Sequence, residues 1–499
     1  MGAPRIILST LNARYSHAAL GLRYLYANLG ALSAQAAIRE FTIHDRPSAV
    51  VEALLGEAPA IIGFGVYVWN LRETTQVVAL LRMIAPAVRI VIGGPEVSHQ
   101  YESERIVELC DVLITGEADD AFREVCTALL AGETPPRVVS PPRPDLARLV
   151  LPYALYCDED LRQRLIYVEA SRGCPYTCEF CLSSLDDGVR AFPLDDFLSA
   201  LDRLWARGCR TFKFVDRTFN LNLRTAGAIL EFFLARLPGA DAQRPPFLHF
   251  ELVPDRLPEA LKALMLRFPP GVVQFEVGIQ SFTAQVGELI SRRMDRAKTV
   301  ANLSWLHTHS PVHVHADLII GLPGETMATL AESFDALWHL EPQEIQVGIL
   351  KLLKGTPLVR HVEPFAMRFN PEPPYDLLCS RDFDFPTMQR LKRFARYFEI
   401  YANRARFARG LALALALKAS PFHAFLAFSD WLWATDAREH AIALARQYEL
   451  LADYLSGPGQ LPRAQVLDEL RADFLAHSQA KYLPEVLRLA GAGARGGPR

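Results

Sequence analysis

Short apolar runs alternate with helix-like stretches along most of this chain, and this alternation restricts the fold more than any other feature. In the first part of the chain the apolar runs are nearly continuous, which is typical of parallel strands buried on both faces. These runs are RIILSTLN, REFTIHD, AIIGFGVYV, VRIVIGGP and DVLITGE, beginning at Arg5, Arg39, Ala60, Val88 and Asp111. The pattern predicts an α/β fold that starts with a doubly wound parallel-sheet domain over residues 1–132.

A proline-rich stretch at residues 133–145 interrupts the alternation. It predicts a linker over residues 133–163 that joins two domains without packing as an element. Strand-helix units then resume, with strand-like runs beginning at Arg164, Thr211, Phe247, Val272, Val312 and Glu344. Six such units predict a partial (β/α)6 barrel, of the TIM-barrel type, over residues 164–365, with its chemistry at the carboxyl ends of the strands.

Strand signals disappear after about Pro373, and amphipathic or broadly apolar helical patterns replace them. We therefore expect a helical domain over residues 366–490. The final segment, AGAGARGGPR, predicts a disordered tail over residues 491–499.

Composition limits the partners and the compartment. The 499 residues carry a net charge of -3, without the basic excess of a general nucleic-acid binder. No apolar run approaches the roughly 20 residues of a membrane span, and the N-terminal residues lack a signal-peptide layout. These features predict a cytoplasmic protein, in which thiols stay reduced and clustered cysteines indicate metal or redox chemistry.

Three cysteines stand close together in RGCPYTCEFCLSS: Cys174, Cys178 and Cys181, with the spacing C-x3-C-x2-C. An iron-sulfur cubane normally takes four thiolates, so three would leave one iron open to a substrate or cofactor. A zinc site is the alternative, but it requires four ligands and no matching Cys or His pair is apparent. The loop therefore predicts a reactive [4Fe-4S] cluster directly after the first barrel strand.

This loop resembles the signature of the radical S-adenosylmethionine (SAM) superfamily, in which an aromatic residue, here Phe180, precedes the last cysteine. The resemblance implies that the three cysteines bind the cluster and that Phe180 lies near the adenine of SAM. It also implies that the open iron chelates SAM and that an electron splits SAM to give a 5′-deoxyadenosyl radical. A reducing partner, flavodoxin or ferredoxin, would supply the electron.

The resemblance extends to polar residues near the ends of the barrel strands. It implies that Asp216 contacts the SAM amino group and that Arg292 pairs with the SAM carboxylate. It places Glu276, Gln280 and Ser281 near the ribose and methionine of SAM. The alternatives are a helix cap at Asp216, ordinary loop polarity at Gln280 and Ser281, and a solvated helix face at Arg292.

Two histidines, His313 and His315, alternate with valines and so share one face of a strand. If they face the barrel interior, they would serve proton transfer or substrate binding. If they face the surrounding helices, they would be core histidines. Glu251, at the end of the third barrel strand, presents the same two alternatives.

The N-terminal domain resembles the cobalamin-binding domain of one large branch of radical SAM enzymes, and the C-terminal helices resemble an uncharacterised extension in a subgroup of that branch. The resemblance implies a set of cobalamin contacts: Asn12, Arg14, Tyr15, Ser16, Tyr67, Trp69, Asn70, Gly93, Gly94, Pro95, Glu96, Gly116 and Glu117. The Asp-x-His-x-x-Gly motif that supplies a cobalt-binding histidine in many such domains is absent. A residue such as Tyr67, Val68 or Trp69 would lie under the cobalt instead.

Together these features predict a cobalamin-dependent radical SAM enzyme that transfers a methyl group to an unactivated carbon. The substrate would be a small molecule, a lipid-like compound or a peptide. One alternative is a radical SAM enzyme for cyclisation, rearrangement or oxidation, with cobalamin as a helper or absent. Another is a non-catalytic iron-sulfur sensor.

Overall fold

Parallel strands with helices on both faces form the N-terminal part of the computed structural model, which describes residues 5–239, 244–477 and 483–488. Its strands are β1 (Ile6–Asn12), β2 (Ala36–Thr42), β3 (Ile61–Gly65), β4 (Arg89–Gly93), β5 (Val112–Ile114) and β6 (Val138–Val139), in the sheet order β2-β1-β3-β4-β5-β6. Its helices are α1 (Leu20–Ala27), α2 (Pro47–Leu55), α3 (Leu71–Ile84), α4 (Arg105–Leu109) and α5 (Asp119–Leu130). Separate hydrophobic cores cover the two faces of this sheet, as predicted for a doubly wound domain.

The predicted linker is not a passive connection. Its residues Val138–Val139 form β6 beside β5, at an edge of the sheet where neighbouring prolines are tolerated. Tyr153 and Tyr156 are fully buried and donate hydrogen bonds to the carbonyls of Glu169 and Tyr167, and helix α6 (Asp158–Gln163) follows. Proline spacing predicts an extended backbone but does not indicate which side chains the extended chain buries.

A second parallel sheet forms the middle of the chain, and its six strands in the described ranges confirm the predicted partial barrel. The strands of this region, including an antiparallel hairpin of β8 and β9, are β7 (Ile166–Val168), β8 (Ser171–Cys174), β9 (Gly188–Ala191), β10 (Thr211–Phe214), β11 (Phe247–Leu252), β12 (Val273–Gln280), β13 (His313–Ile320) and β14 (Glu344–Ile349). The barrel strands follow the order β14-β13-β12-β11-β10-β7. The helices are α7 (Leu194–Ala206), α8 (Leu223–Leu234), α9 (Glu259–Met265), α10 (Ala284–Leu289), α11 (Arg296–His309) and α12 (Met327–Trp338).

The C-terminal part is mainly helical, as predicted, but it starts with a short antiparallel pair of strands. Its elements are β15 (Arg368–Phe369), β16 (Leu377–Cys379), α13 (Phe385–Phe398), α14 (Ala408–Leu415), α15 (Pro421–Asp436), α16 (Leu444–Ser456), α17 (Arg463–His477) and α18 (Glu485–Arg488). Aromatic rings of α13 and α15 pack edge-on against Phe334 of α12. The helices therefore share one hydrophobic core with the barrel. The predicted tail at 491–499 lies outside the described residues.

Short 3-10 turns connect several elements: Gly30–Gln35, Pro95–Val97, Pro152–Leu155, Leu182–Leu185, Leu237–Gly239 and Pro357–His361. A π-helical turn, Glu399–Asn403, extends α13. In the part of the chain that the structure describes, no helix has the length and hydrophobicity needed to cross a membrane.

Candidate active site

The three-cysteine loop lies between β8 and β9, just beyond the first barrel strand. Cys178 is buried, and Cys174 and Cys181 are half-buried. The Cys181 amide donates a hydrogen bond to the Cys178 carbonyl at 3.0 Å, which tightens the loop. Burial raises the pKa of the Cys174 thiol, and the nearby Cys181 and Cys178 thiols add to this increase. Three thiols this close repel one another as thiolates, so the loop suits a cationic group that binds all three.

The number of ligands that the loop offers bears on the choice between a cluster and a single metal ion. Within the described ranges, no three His, Cys, Asp or Glu side chains are placed to share one metal ion. A structural zinc ion requires four ligands that converge on a point, whereas the thiolates of a cubane bind different irons and stand further apart. The loop supplies three thiolates, which suits the predicted [4Fe-4S] cluster with one open iron, whereas a structural zinc ion would need a fourth ligand from elsewhere.

Gly173 precedes the first cysteine and has a backbone that other residues rarely adopt, with a φ of 92°. A side chain at this position would also collide with the carbonyl oxygen of Gly188 on the facing strand. We expect Gly173→Ala to open the β8–β9 hairpin and to lose most of the iron and sulfide of the reconstituted protein, measured by colorimetric assay.

Gly188→Ala is the matched control for this prediction. Gly188 has a φ of 83°, but no atom lies within 4 Å of the position that its Cβ would take. Backbone strain should therefore lower the stability of Gly188→Ala by about 1–2 kcal/mol, and this variant should retain the cluster. Equal iron content in the two variants would contradict the account of the hairpin.

Glu179, which follows the second cysteine, ties the loop to the segment after the barrel. Its side chain is nearly inaccessible and contacts Ser291 Oγ at 2.5 Å, His361 Nε2 at 2.8 Å and the guanidinium of Arg360. Its carbonyl accepts a hydrogen bond from the Leu358 amide at 3.0 Å. This role of Glu179 is not visible in the sequence, because its partners lie more than a hundred residues further along the chain.

Arg292, one of the residues predicted to bind SAM, lies beside the cysteine loop. Arg292 Nη1 is 3.4 Å from the Cys178 sulfur, and Nη2 donates to the Gly278 carbonyl. Arg292 Nε and the Gln280 side-chain oxygen are buried without hydrogen-bond partners among the described residues. Gln280 also has a left-handed backbone, with a φ of 67°. Unpaired buried polar atoms are uncommon in folded proteins, so these atoms fit a polar ligand such as SAM.

The other residues predicted to bind SAM have partners within the protein. Asp216 accepts hydrogen bonds from the Ala170 amide at 3.0 Å and the Ser171 hydroxyl at 2.6 Å, so both carboxylate oxygens hold the start of the cysteine loop. Ser281 Oγ accepts from the Thr283 amide. Phe180 packs, partly buried, against the main core. Direct contact of these three residues with SAM stays a prediction.

The barrel interior contains a row of ionisable side chains. The strand register aligns Glu251, Glu276, His315 and Glu344 on four neighbouring strands. Both predicted histidines face this interior: His313 Nε2 lies 3.1 Å from Glu344 Oε1, and His315 Nδ1 lies 3.6 Å from Glu344 Oε2.

Glu276 is the most strongly paired member of this row. A hydrogen bond from His249 at 3.1 Å, together with Lys213 at 3.9 Å, lowers the pKa of Glu276 to about 2. Its predicted contact with SAM therefore competes with the His249 and Lys213 side chains. Burial instead raises the pKa of Glu251 to about 7. Four further polar residues belong to this interior and were not predicted: Lys213, His249, Glu344 and Asp317, which lies 3.3 Å from His315. Polar residues at every second strand position are a usable signal for one face.

A cavity of about 650 Å³ opens where the strands of the N-terminal sheet end. Its lining includes these residues predicted to bind cobalamin: Asn12, Tyr67, Trp69, Gly93, Gly94, Pro95, Gly116 and Glu117. The rings of Tyr67 and Trp69 are stacked 4.5 Å apart and nearly parallel. Gly94 has a φ of 118°, and a side chain there would collide with the Val66 backbone. Flat aromatic rings and bare glycine backbone suit a large planar ring system such as the corrin of cobalamin.

The opposite wall of this cavity comes from the barrel, through Tyr167, Glu169, Arg172, Val215 and Arg217. Five of the residues predicted to bind cobalamin do not line the cavity: Arg14, Tyr15, Ser16, Asn70 and Glu96. The first three lie in a loop that turns towards the linker, where the Tyr15 hydroxyl contacts Glu159 and the Ser16 carbonyl accepts from the Leu165 amide. His17, the next residue, lines the cavity instead.

Asn70 and Glu96 support the cavity from behind its wall. Asn70 is fully buried, donates hydrogen bonds to the carbonyls of Leu11 and Gly65, and accepts one from the Tyr67 amide. Glu96 is paired with Lys354, the residue five positions after β14, at 2.9 Å and contacts the Tyr375 hydroxyl. These contacts join the glycine-rich loop of the N-terminal domain to the segment after the barrel.

We expect Lys354→Met to weaken the binding of hydroxocobalamin by about 10-fold, the lower end of what a lost supporting residue costs a site. The substitution leaves Glu96 and Glu104, which lies 2.6 Å from Lys354, without their shared cation. Titration followed by visible absorption measures the affinity, and iron content should stay unchanged. Lys392→Met, which breaks a longer ion pair of 3.4 Å with Asp376, is the control. Unchanged affinity in both variants would contradict this role of Lys354.

Arg172 connects the cavity to the cysteine loop. Its guanidinium lies 2.8 Å from Glu117, 2.9 Å from Asp119 and 2.9 Å from Glu169. It also stacks over the Tyr24 ring at 4.6 Å. Two of these carboxylates belong to the N-terminal domain, and Arg172 is two residues from Cys174. This role of Arg172 is not visible in the sequence, because Glu117 and Asp119 lie more than fifty residues before it.

Comparisons with known proteins agree with this arrangement of domains. Residues 7–126 match the model of the B12 binding domain, residues 168–337 match the radical SAM superfamily, and residues 363–493 match a family described as a protein of unknown function (DUF4080). The chain therefore belongs to the radical SAM enzymes that carry a cobalamin-binding domain. Its cofactors are a [4Fe-4S] cluster, SAM and cobalamin.

Individual relatives are distant. The chain is 24% identical over 354 residues to the cobalamin-dependent radical SAM methyltransferase TokK of Streptomyces tokunonensis, covering 64% of this chain and 51% of TokK. It is 24% identical over 343 residues to the 2-(S-pantetheinyl)-carbapenam-3-carboxylate methyltransferase of Streptantibioticus cattleyicolor, covering 60% of this chain and 48% of that protein. The chain thus spans about half the length of these two curated relatives.

A solved structure shares the fold. TsrM from Kitasatospora setae, a radical SAM methyltransferase with tryptophan and a SAM analogue bound, aligns with a TM-score of 0.57 at 18% identity. The alignment covers 74% of this chain and 79% of TsrM. At this identity the likeness supports the fold and not the substrate.

Proposed function

We propose that this protein is a cobalamin-dependent radical SAM methyltransferase that methylates an unactivated carbon of its substrate. The observation that carries the proposal is the shared cavity. One wall consists of the strand ends of the cobalamin-binding domain, and the other consists of barrel residues that adjoin the cysteine loop. A substrate in this cavity would lie between the sites of the two cofactors. When bound, the cluster and SAM supply a 5′-deoxyadenosyl radical and cobalamin supplies a methyl group.

The residues of the chain hold, orient and shield these groups. Arg172 fixes the cavity wall to the cysteine loop through three carboxylates. Glu179 fixes the other side of the loop to the segment after the barrel. The cavity is lined mainly by apolar side chains and backbone, including Leu22, Val91 and Phe122. Such a lining excludes water, which would otherwise quench reactive species.

The product set tests the proposal. The anaerobically reconstituted protein should be incubated with SAM, hydroxocobalamin, a low-potential reductant and extracts that contain candidate substrates. We expect 5′-deoxyadenosine and S-adenosylhomocysteine to increase together, because one SAM supplies the radical and another supplies the methyl group. Quantification by liquid chromatography and mass spectrometry gives both products in one run.

Two outcomes would contradict methyl transfer, and each would support one of the alternative functions. Formation of 5′-deoxyadenosine without S-adenosylhomocysteine would indicate radical cyclisation, rearrangement or oxidation. Formation of neither product, by a protein that retains its cluster, would indicate an iron-sulfur sensor. The proposal includes a cytoplasmic flavodoxin or ferredoxin as the reductant, since radical SAM enzymes require an electron donor.

A further inference from the structure

Two arginines line the cavity, and their environments differ sharply. The Arg172 guanidinium is surrounded by three carboxylates and an aromatic ring. Arg217, which follows β10, has one carboxylate nearby, Glu251 at 3.6 Å. No hydrogen bond to its guanidinium occurs among the described residues, and half of its side chain, 52%, is exposed. Arg217 therefore retains nearly all of its hydrogen-bonding capacity.

The other charged residues of the cavity cannot neutralise Arg217, because they are engaged elsewhere. Glu117, Asp119 and Glu169 all contact Arg172, and Glu117 also contacts Arg190. A second acidic residue close enough to influence Arg217 electrostatically, Asp186, is paired with Arg143 at 3.5 Å. Apart from its long ion pair with Glu251, the Arg217 guanidinium therefore keeps its N–H donors free in a largely apolar cavity.

The position of Arg217 restricts what can bind to it. The preceding residue, Asp216, holds the start of the cysteine loop, and the following residue, Thr218, has its hydroxyl 4.0 Å from the Cys174 sulfur. Arg217 itself faces the cavity that the cobalamin-binding domain shares. The guanidinium therefore lies beside the space between the sites of the two cofactors.

We propose that Arg217 binds an anionic group of the substrate, a carboxylate or a phosphate, so that the substrate of this protein is an organic anion. This inference rests on the proposed function, because that function places the substrate in the shared cavity. Guanidinium binds both kinds of oxyanion through paired N–H donors, and an apolar cavity strengthens the contact. The rest of the substrate would contact the apolar lining.

Simple aromatic compounds can test the site without knowledge of the substrate. The holoprotein, with its cluster oxidised and with SAM and hydroxocobalamin bound, should be titrated anaerobically with benzoate, phenyl phosphate and the neutral benzamide. We expect at least one of the two anions to bind about 10-fold or more tightly than benzamide, which is the usual effect of a charge-assisted hydrogen bond. Preferential binding of benzoate would indicate a carboxylate in the substrate, and preferential binding of phenyl phosphate would indicate a phosphate. Isothermal titration calorimetry measures the affinities.

Three variants complete the experiment. Arg217→Gln should remove the preference for the anion, and Arg217→Lys should retain part of it. Arg267→Gln is the matched control, since Arg267 has the same exposure of 52%, contacts one carboxylate and lies outside the cavity lining. Equal binding of anions and benzamide by the wild-type protein, or an unchanged preference in Arg217→Gln, would overturn the proposal.

SAM and cobalamin also carry anionic groups that Arg217 could bind. Measuring the affinity of each cofactor for Arg217→Gln distinguishes these groups from a substrate anion. If Arg217→Gln weakens the binding of SAM in equilibrium dialysis, the guanidinium serves the SAM carboxylate and the proposal is wrong. If it weakens the binding of hydroxocobalamin, the guanidinium serves the cobalamin phosphate and the proposal is also wrong. Unchanged affinities for both cofactors support it. The binding preference does not depend on turnover, so its failure is distinguishable from a failure of methyl transfer.

Discussion

Replacement of Cys178 by alanine is expected to abolish the cleavage of SAM, with 5′-deoxyadenosine formation falling to the background rate. The thiolates of a cubane bind different irons, so two remaining thiolates would not hold the cluster. Cys178 is also the most buried of the three cysteines and the one that Arg292 contacts, which makes rescue by an outside thiol difficult. Iron and sulfide content, together with product quantification, measures the effect.

The control for this prediction is Cys157→Ala, which removes an exposed free cysteine outside the loop. The control should retain both its iron and its activity. A Cys178→Ala protein that keeps a cluster and cleaves SAM at the wild-type rate would contradict the assignment of the ligands. Alanine at Cys174 or Cys181 should have the same effect as alanine at Cys178, because each thiol has an equivalent role.

Replacement of Arg172 by methionine is expected to lower the free energy of unfolding by about 3–5 kcal/mol, the usual cost of removing one partner from a buried ionic network. The substitution leaves Glu117, Asp119 and Glu169 close together without their shared cation. Burial already raises the pKa of Glu169. Denaturant unfolding of the wild type and the variant, followed by circular dichroism, measures the loss.

The pH dependence of this loss follows from the same charges. Burial raises the pKa of Glu169 and Arg172 opposes this increase, so without Arg172 the pKa of Glu169 lies still further above its value in the unfolded chain and the folded state binds more protons. The stability of the variant should therefore rise relative to wild type as the pH falls from about 8 to about 5.5. The control is Arg143→Met, since Arg143 is more exposed and has longer contacts of 3.5 and 3.6 Å with Asp186 and Asp187. Arg143→Met should lower the free energy of unfolding by less than about 1 kcal/mol. A similar loss in both variants would contradict the stabilising role of the Arg172 network.

Local sequence information was sufficient for the fold, and it also indicates the candidate cluster ligands. The three cysteines are recognisable because all of them fall within eight residues, and the parallel strands are recognisable because burial on both faces requires continuous apolar runs. Glycines at strand ends, such as Gly93 and Gly94, line the cavity, and a tight turn and the close approach of a ligand both favour glycine there. Their contact with cobalamin stays a prediction.

Contacts between distant segments were not predictable in this way. Lys354 and Glu96 are 258 residues apart, and no periodicity links them. The position of Glu96 after the two glycines predicts a contact with cobalamin. In the structure its side chain contacts Lys354 and Tyr375 instead of lining the cavity. Arg14, Tyr15 and Ser16 do not line the cavity, since a sequence gives the position of a loop but not its direction, and their contact with cobalamin stays a prediction.

The row of ionisable side chains in the barrel was predictable only in part. Alternation along each strand shows that His313 and His315 share a face. The register between strands, which places His315 beside Glu276 and Glu344, is a property of the assembled sheet. The pairing of His249 with Glu276 depends on this register. It was therefore not predicted, although the sequence places both residues in strands.

The central claim is that a cluster held by three thiolates leaves one iron open to SAM. Electron paramagnetic resonance of the anaerobically reconstituted and reduced protein, recorded without and with SAM, tests this claim most directly. The account predicts the signal of a reduced [4Fe-4S] cluster that changes when SAM is added, because SAM becomes a ligand of the open iron. A cluster signal that SAM leaves unchanged, or a protein that contains zinc in place of iron, would contradict it.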